Sequence, residues 1–382
     1  MQIKKEPNEQ LSDYIKRVCE YKKEHWKECS WEDVAECIKN EANFEKSEKW
    51  YRTERYLAMG VDADNIDKLT LLKMQKVAIS DERTQVNAYY RSLSREQTFK
   101  DIASDWVEKL RFSKPLLTTR EDLAEDTDKE AILQISDWHY GYDIHNAWNE
   151  YDPDICKRRV SELIEKVVSR CRTQNIRTLH VVNLGDLAAG RIHMQIRVQS
   201  REDLIGQTMY ASEILAEALS ELSRYFNVEY YDCTDNHSRV EPNKKESLQT
   251  ETMTRIIHWY IKTRFDGNDR IHVNDNEFGD DIITFECNGH SVIGVHGDKD
   301  GATNVVDRLS GLTGRRYDLC LTAHRHHFFG DEKNYTVLLS NSSLCGADDF
   351  SIDHRLTATP AQNLIIATKE NITDGIHRII LK

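Results

Sequence analysis

Apolar residues recur along this chain with two different periods, and the period changes near residue 130. Before that point they stand three and four apart among many charges, which predicts helices and no strand. Ser30-Trp31-Glu32-Asp33 has the form of a capping box, and Trp31, Val34, Ala35 and Ile38 then fall at core spacing on one helical face. Residues 40–44 read as a turn, and a further helix is expected over 47–59, stopped by Gly60. Between 64 and 111 the apolar positions, among them Leu72, Val86, Leu93, Ile102 and Trp106, fit helical spacing only loosely, so a bundle is expected rather than a long coiled coil. Residues 113–129, with Pro115 and an acidic run over 121–128, show no period and read as a linker.

From residue 130 onward, short continuous apolar runs alternate with amphipathic stretches, the order of an α/β domain. Helices are expected over 154–172, where Val160, Leu163, Ile164, Val167 and Val168 share a side, and over 204–226 and 248–265. Strands are expected over 336–340, 363–368 and 375–381. The chain thus divides into a helical, helix-turn-helix-like domain (1–60), a charged helical segment (61–112), a linker (113–129) and an α/β domain (130–382).

The chemistry lies where the apolar runs end. The first runs from Ile132 into Ser136-Asp137-Trp138-His139-Tyr140-Gly141, and the second closes on Gly185-Asp186. The third closes on Asp235-Asn236-His237, the fourth on His296, and the fifth on His324-Arg325-His326. Residues i and i+2 at a strand end point the same way, so Asp137 and His139 can share one cation. Carboxylate, amide oxygen and imidazole without thiolate suit two divalent ions of hard to borderline character: manganese, iron or zinc.

This order resembles the calcineurin-like metallophosphoesterases, whose pattern is Asp-x-His, Gly-Asp, Gly-Asn-His-Asp/Glu, His, Gly-His-x-His. The resemblance covers roughly residues 130–382, and the opening Ser136–Gly141 motif looks most like that of the SbcD and Mre11 nucleases. It implies a two-sheet β-sandwich flanked by helices (αββα), here preceded by an all-α N-terminal domain. It places Asp137, His139, Asp186 and His326 on one ion and Asp186, Asn236, His296 and His324 on the other, with Asp186 bridging. The ions, manganese first, with iron or zinc as alternatives, would share a hydroxide that attacks a phosphodiester. His237 takes the place of the general acid or leaving-group stabiliser. Arg325 and Arg191 are candidate phosphate contacts, and His193 stands close to the second of these in sequence.

Departures from the pattern narrow the substrate. Ser238 replaces the carboxylate that follows Asn-His, so Asp235 or a more distant group is expected to orient His237; Ala323 replaces the Gly of the last motif. The Gly-Asp-x-Val-Asp-Arg-Gly of protein phosphatases is absent, which argues against that class, and Ala189 stands where Mre11 nucleases carry a histidine.

Composition adds compartment and partners. Nine scattered cysteines without a Cys-x-x-Cys pair fit reduced thiols in a cytoplasmic setting, and neither a signal peptide nor a membrane span is expected. The formal charge of -13 lies wholly beyond residue 114, where 30 basic residues face 43 acidic ones; residues 1–114 hold 22 of each. An acidic catalytic half repels phosphate unless cations and local arginines reverse the field. Lys46, Lys49, Arg52 and Arg55 recur at three-residue intervals and form a candidate DNA-binding stripe; Glu48 and Glu54 interleave with them, so a solvated or packing face fits the same residues. The function expected is a dimetal DNA nuclease, with DNA as partner and a homodimer through the N-terminal helices as a second association. A small-molecule or cyclic-nucleotide phosphodiesterase, and a non-enzymatic DNA-binding scaffold with a vestigial metal core, are the alternatives.

Overall fold

The computed structural model describes residues 3–25, 28–52, 86, 120–125, 127–301, 304–353, 355 and 359–382. The chain forms two compact units, Met1–Ser104 and Asp105–Lys382.

In the first unit the described helices are α1 (Leu11–Glu24), α2 (Trp31–Ala42) and α3 (Glu48–Arg52). Ser30 caps α2 reciprocally: its Oγ accepts from Asp33 N at 3.1 Å, and Asp33 Oδ2 accepts from Ser30 N at 2.6 Å. The helix runs to Ala42, further than the expected turn at 40 allowed, and ends on Asn43 in the left-handed conformation. Tyr14, Ile15, Val18, Val34, Ile38 and Tyr51 bury themselves together, so the three helices share one core. Arg55 and the rest of the helix expected to reach 59 lie outside the described residues, as does nearly all of 61–112.

The second unit contains two main sheets. The larger has the order β13-β12-β1-β4-β5-β6, with β1 (Lys129–Ile135), β4 (Thr178–Asn183), β5 (Asn227–Asp232) and β6 (Ile271–Val273) parallel. On its other side β12 (Ala361–Thr368) runs antiparallel to β1, followed by β13 (Gly375–Ile380). The smaller sheet is ordered β10-β11-β9-β8-β7, with β8 (His290–Gly294), β9 (Leu319–Thr322) and β11 (Thr336–Ser340) parallel. Two hairpin partners, β7 (Ile283–Cys287) and β10 (Phe329–Lys333), close its edges. A short hairpin of β2 (Ile144–His145) and β3 (Glu150–Tyr151) stands apart.

The sheets pack face to face: Ile132, Val182 and Ile365 of one meet Ile283, Val292, Leu321 and Leu339 of the other. Covered on both faces, the inner strands read as unbroken apolar runs. Helices α4 (Pro153–Thr173) and α6 (Leu204–Ser223) pack with the larger sheet, and α7 (Met253–Arg264) packs against α6. Helix α8 (Val305–Thr313) lays Val305, Val306 and Leu309 on the outer face of the smaller one. The architecture is therefore helix, sheet, sheet, helix. Helix α7 begins at Met253 under a Thr252 cap rather than at 248. Two short helices, α5 (Met194–Gln199) and α9 (Asp349–Asp353), complete the described elements. Among the described residues no helix is long and apolar enough to cross a membrane.

A layer of buried amides joins the sheets. Gln134, Asn341, Gln362 and Asn363 are fully buried. Gln134 Nε2 donates to Thr322 O (3.2 Å) and Leu339 O (3.4 Å), and Asn363 Nδ2 donates to Gln134 Oε1 (3.0 Å) and Ser340 O (3.3 Å). Gln134 and Asn363 thus reach carbonyls of the facing sheet while pairing with each other inside their own, which makes such polar groups tolerable in a core, although Asn363 Oδ1 has no hydrogen-bond partner.

Candidate metal centre

Because β1, β4 and β5 are parallel, their C-terminal ends meet at one edge, and β8 and β9 bring theirs to the same place. The five chemistry-bearing loops converge there. Main-chain bonds stitch them: Asp137 N donates to Gly185 O at 3.0 Å, His139 N to Asp186 O at 3.0 Å, and Ala323 N to His296 O at 2.9 Å. Asp137, His139, Asp186, His324 and His326 all have left-handed φ, between 47° and 68°. Such a conformation costs a non-glycine residue about 1–2 kcal/mol, so the surrounding bonds hold these five in place to aim their side chains.

Two glycines make the convergence sterically feasible. Gly185 has φ +91°, and a Cβ there would lie 2.5 Å from Asp235 Cβ. Gly190 has φ +77°, and a Cβ there would lie 2.2 Å from His237 O. The loop bearing Asp186 therefore sits directly against the loop bearing Asn236 and His237.

The donor atoms fall into overlapping groups, each spanning at most 4.8 Å: Asp137, His139 and His326; His139, Asp186 and His237; Asp186, His296 and His324. His139 Nε2 and His326 Nε2 are 3.1 Å apart, and Asp137 Oδ1 is 3.6 Å from His326 Nε2. Asp186 Oδ2 lies 3.2 Å from His296 Nε2 and 3.9 Å from the Nε2 atoms of both His139 and His237. Asn236 Oδ1 is 2.8 Å from His296 Nε2. All seven residues named from the sequence as ligands are thus together, with Asp186 between the two groups.

The donors fit cations better than they fit one another. Asp137 Oδ1 and Asp186 Oδ2 are buried acceptors without a hydrogen-bond partner, an arrangement that costs about 1–3 kcal/mol or more for a charged group. Meanwhile the far sides of two ligands are fixed. Ser136 Oγ donates to Asp137 Oδ2 at 2.6 Å, and His296 Nδ1 donates to Leu184 O at 2.6 Å, which leaves Asp137 Oδ1 and His296 Nε2 facing inward.

Burial pushes His139 well below the ordinary imidazole value and brings His324 down to about 4, so both stay neutral and keep a lone pair. Burial alone would raise the Asp186 carboxyl, but His237, His296 and His139 around it hold it well below the usual range. For His296 the opposite holds: burial lowers it, the adjoining Asp186 overrides, and it rises to about 10. Burial raises Asp137.

Of the two orienting groups the sequence left open for His237, Asp235 or a more distant one, the structure shows the distant one, the backbone oxygen of Ala189. His237 Nδ1 donates to Ala189 O at 2.6 Å, which leaves Nε2 toward the site, and its ring lies 4.6 Å from that of His139. Asp235 instead accepts from Ser238 N (2.7 Å) and Thr254 Oγ1 (2.9 Å), tying the loop down. The sequence reading also passed over Ser136, and over Arg239, whose Nε holds Asn236 O at 3.0 Å; a hydroxyl beside Asp137 was the available signal for the first. His193 reaches the rim, its ring 5.9 Å from His237.

The arginines named as phosphate contacts are engaged with main chain. Arg191 Nε donates to Val240 O at 2.9 Å, and Arg325 Nη2 to Asp300 O at 3.1 Å. In the first unit Lys46, Lys49 and Arg52 are exposed, with Lys46 Nζ over the Phe44 ring at 5.8 Å.

No family model matches the chain. It is 25% identical, over 96% of its length and 95% of the relative's, to the SPbeta prophage-derived uncharacterized protein YonJ of Bacillus subtilis (strain 168). Similar solved structures include an archaeal phosphodiesterase, 14% identical with a TM-score of 0.35 over 66% of this chain and 99% of that one. Vps29 of Entamoeba histolytica complexed with zinc is 12% identical with a TM-score of 0.32 over 66% and 99%. A predicted phosphoesterase of Streptococcus pneumoniae is 11% identical with a TM-score of 0.27 over 66% and 98%. Likeness at these TM-scores decides neither fold nor activity.

Proposed function

We propose that the chain is a two-cation phosphodiesterase of the calcineurin-like metallophosphoesterase type. One observation carries this reading: two buried carboxylate oxygens, Asp137 Oδ1 and Asp186 Oδ2, stand without a hydrogen-bond partner inside a ring of imidazole nitrogens. Asp137, His139, Asp186 and His326 would hold one divalent cation, and Asp186, Asn236, His296 and His324 the other. Bound cations supply Lewis acidity to the phosphoryl oxygens and to an attacking water. The chain's own residues do the rest. Asp186 fixes the spacing of the two positions, Ser136 and the Leu184 carbonyl lock ligand orientation, and buried walls exclude bulk water. As water's oxygen bonds to phosphorus and the bond to one ester oxygen breaks, His237 Nε2 gives that departing oxygen a proton, and the proton released by the water restores His237 for the next turnover.

The test is metal content and hydrolysis of bis(p-nitrophenyl) phosphate by protein purified with manganese. We expect about two ions per chain and turnover that chelation abolishes; Asp186→Asn should lose both. A protein holding no divalent ion and cleaving no diester would refute the reading.

DNA as the substrate is supported by the SbcD/Mre11-like opening motif and by the exposed Lys46, Lys49 and Arg52, and a prophage-derived relative accords with a DNA-processing role. A small diester as substrate is supported by the cavity described next. Cleavage of linear DNA compared with a dinucleotide, in manganese, separates the two.

A further inference from the structure

Next to the candidate centre lies a cavity of about 480 Å³, within the range of small-molecule sites. His296 belongs to both the cavity and the centre, and Asp298, also in the cavity wall, acts electrostatically on His324. An ester held at the cations would therefore have one arm in this space.

The lining describes that arm. Ile282, Val295 and Leu309 give it apolar walls. Its lysine and arginine are already paired: Lys299 Nζ lies 2.8 Å from Asp281 Oδ2, and Arg308 Nη1 lies 3.1 Å from Asp300 Oδ1. The third carboxylate, Asp298, has a side chain only 13% exposed, and Lys244 Nζ approaches it no closer than 3.8 Å. Among the described lining residues Asp298 is thus the surplus carboxylate, and neither the lysine nor the arginine stands unpaired to receive a second phosphate. A buried carboxylate accepts hydrogen bonds and repels anions.

We infer that this cavity receives one arm of the diester, and that the arm is an uncharged, hydrogen-bond-donating, nucleoside-like group that bears no further phosphate. The inference rests on the two-cation reading of the neighbouring centre. It makes the substrate a dinucleotide or the free end of a strand, not an internal position of one. Apolar walls take the ring faces, and Asp298 accepts from a sugar hydroxyl or an exocyclic amine.

Gly311 offers a selective obstruction. It lines the cavity, and a Cβ built there meets nothing within 4 Å, so Gly311→Trp can project into the space without displacing backbone. Leu312, 71% exposed and also in the lining, gives a second such variant, Leu312→Trp. The experiment uses the manganese-loaded full chain and three substrates: the dinucleoside monophosphate of thymidine, the same compound phosphorylated at both ends, and closed circular single-stranded DNA. The unphosphorylated dinucleotide should show a KM about tenfold below that of its phosphorylated form, and the circle should resist cleavage. Both tryptophan variants should raise KM for the first substrate about tenfold, with bound manganese unchanged. Equal KM values for the two dinucleotides, cleavage of the circle as readily as the dinucleotide, or unaltered KM in both variants would overturn the inference while leaving the two-cation reading intact. A metal-loaded protein that hydrolyses no diester would overturn that reading, and the inference with it.

Discussion

At the scale of single residues, His237 and His258 show how the same side chain serves different ends. His237 has one nitrogen committed to Ala189 O and the other free to exchange a proton at the centre. Replacing it with Gln keeps the size and removes the proton, so kcat should fall about 10²- to 10⁴-fold while metal content stays constant; ion analysis beside steady-state kinetics checks both. His258 is a stabilising group. Its Nδ1 lies 2.8 Å from Asp232 Oδ1 and its Nε2 3.1 Å from Asp275 Oδ1. Asp232 first, and then Asp275, raise it above the ordinary value against the opposing effect of burial. A raised folded value means that the stabilisation is complete below the unfolded value, about 6.5, and disappears as pH climbs through the folded one. His258→Gln should therefore lower Tm clearly near about pH 6 and little near about pH 9; equal losses at both would show that the ion pairs contribute nothing.

Among elements, α2 displays its sequence signal openly. The Ser30 and Asp33 reciprocity is local, and Ser30→Ala should cost about 1 kcal/mol, measured by urea unfolding. The strands that carry the centre are equally legible, since each is an apolar run buried on both faces that stops at a polar cluster. Other elements have no such mark. The exposed strand β10, Phe-Gly-Asp-Glu-Lys, has no apolar alternation because it lies at a sheet edge, and it was not anticipated. Helix α8 is short and carries Gly311, a poor helix former, within it. At the centre the ligand types and their order were legible, but their left-handed backbone was not, because aspartate and histidine, though enriched in that conformation, adopt it at only a few per cent of positions and so do not mark it individually. Nor does a carbonyl such as that of Ala189 announce itself, since every residue has one.

For the whole molecule, the charge distribution sets an expectation for DNA. The second unit is acidic, so the proposed binding of a long strand would draw on bound cations and on the basic residues of the first unit. Lys49→Ala with Arg52→Ala should weaken duplex binding and flatten the plot of log affinity against log salt by about two; an unchanged slope would remove α3 from the interface. The sandwich itself depends on its amide layer. Asn363→Leu would leave Gln134 Oε1 without its donor and cost about 1–3 kcal/mol, seen as a lowered urea midpoint.

That layer has a consequence beyond stability. Greasy faces alone let two sheets slide by a fraction of a residue at small penalty, whereas Gln134 meets Thr322 O and Asn363 meets Ser340 O in only one alignment. Asp137, Asp186 and Asn236 ride on one sheet, and His296, His324 and His326 on the other. The spacing of the two cation positions is thus indexed by a splice deep in the interior, and a fault there would misalign the centre without touching any of the groups that line it.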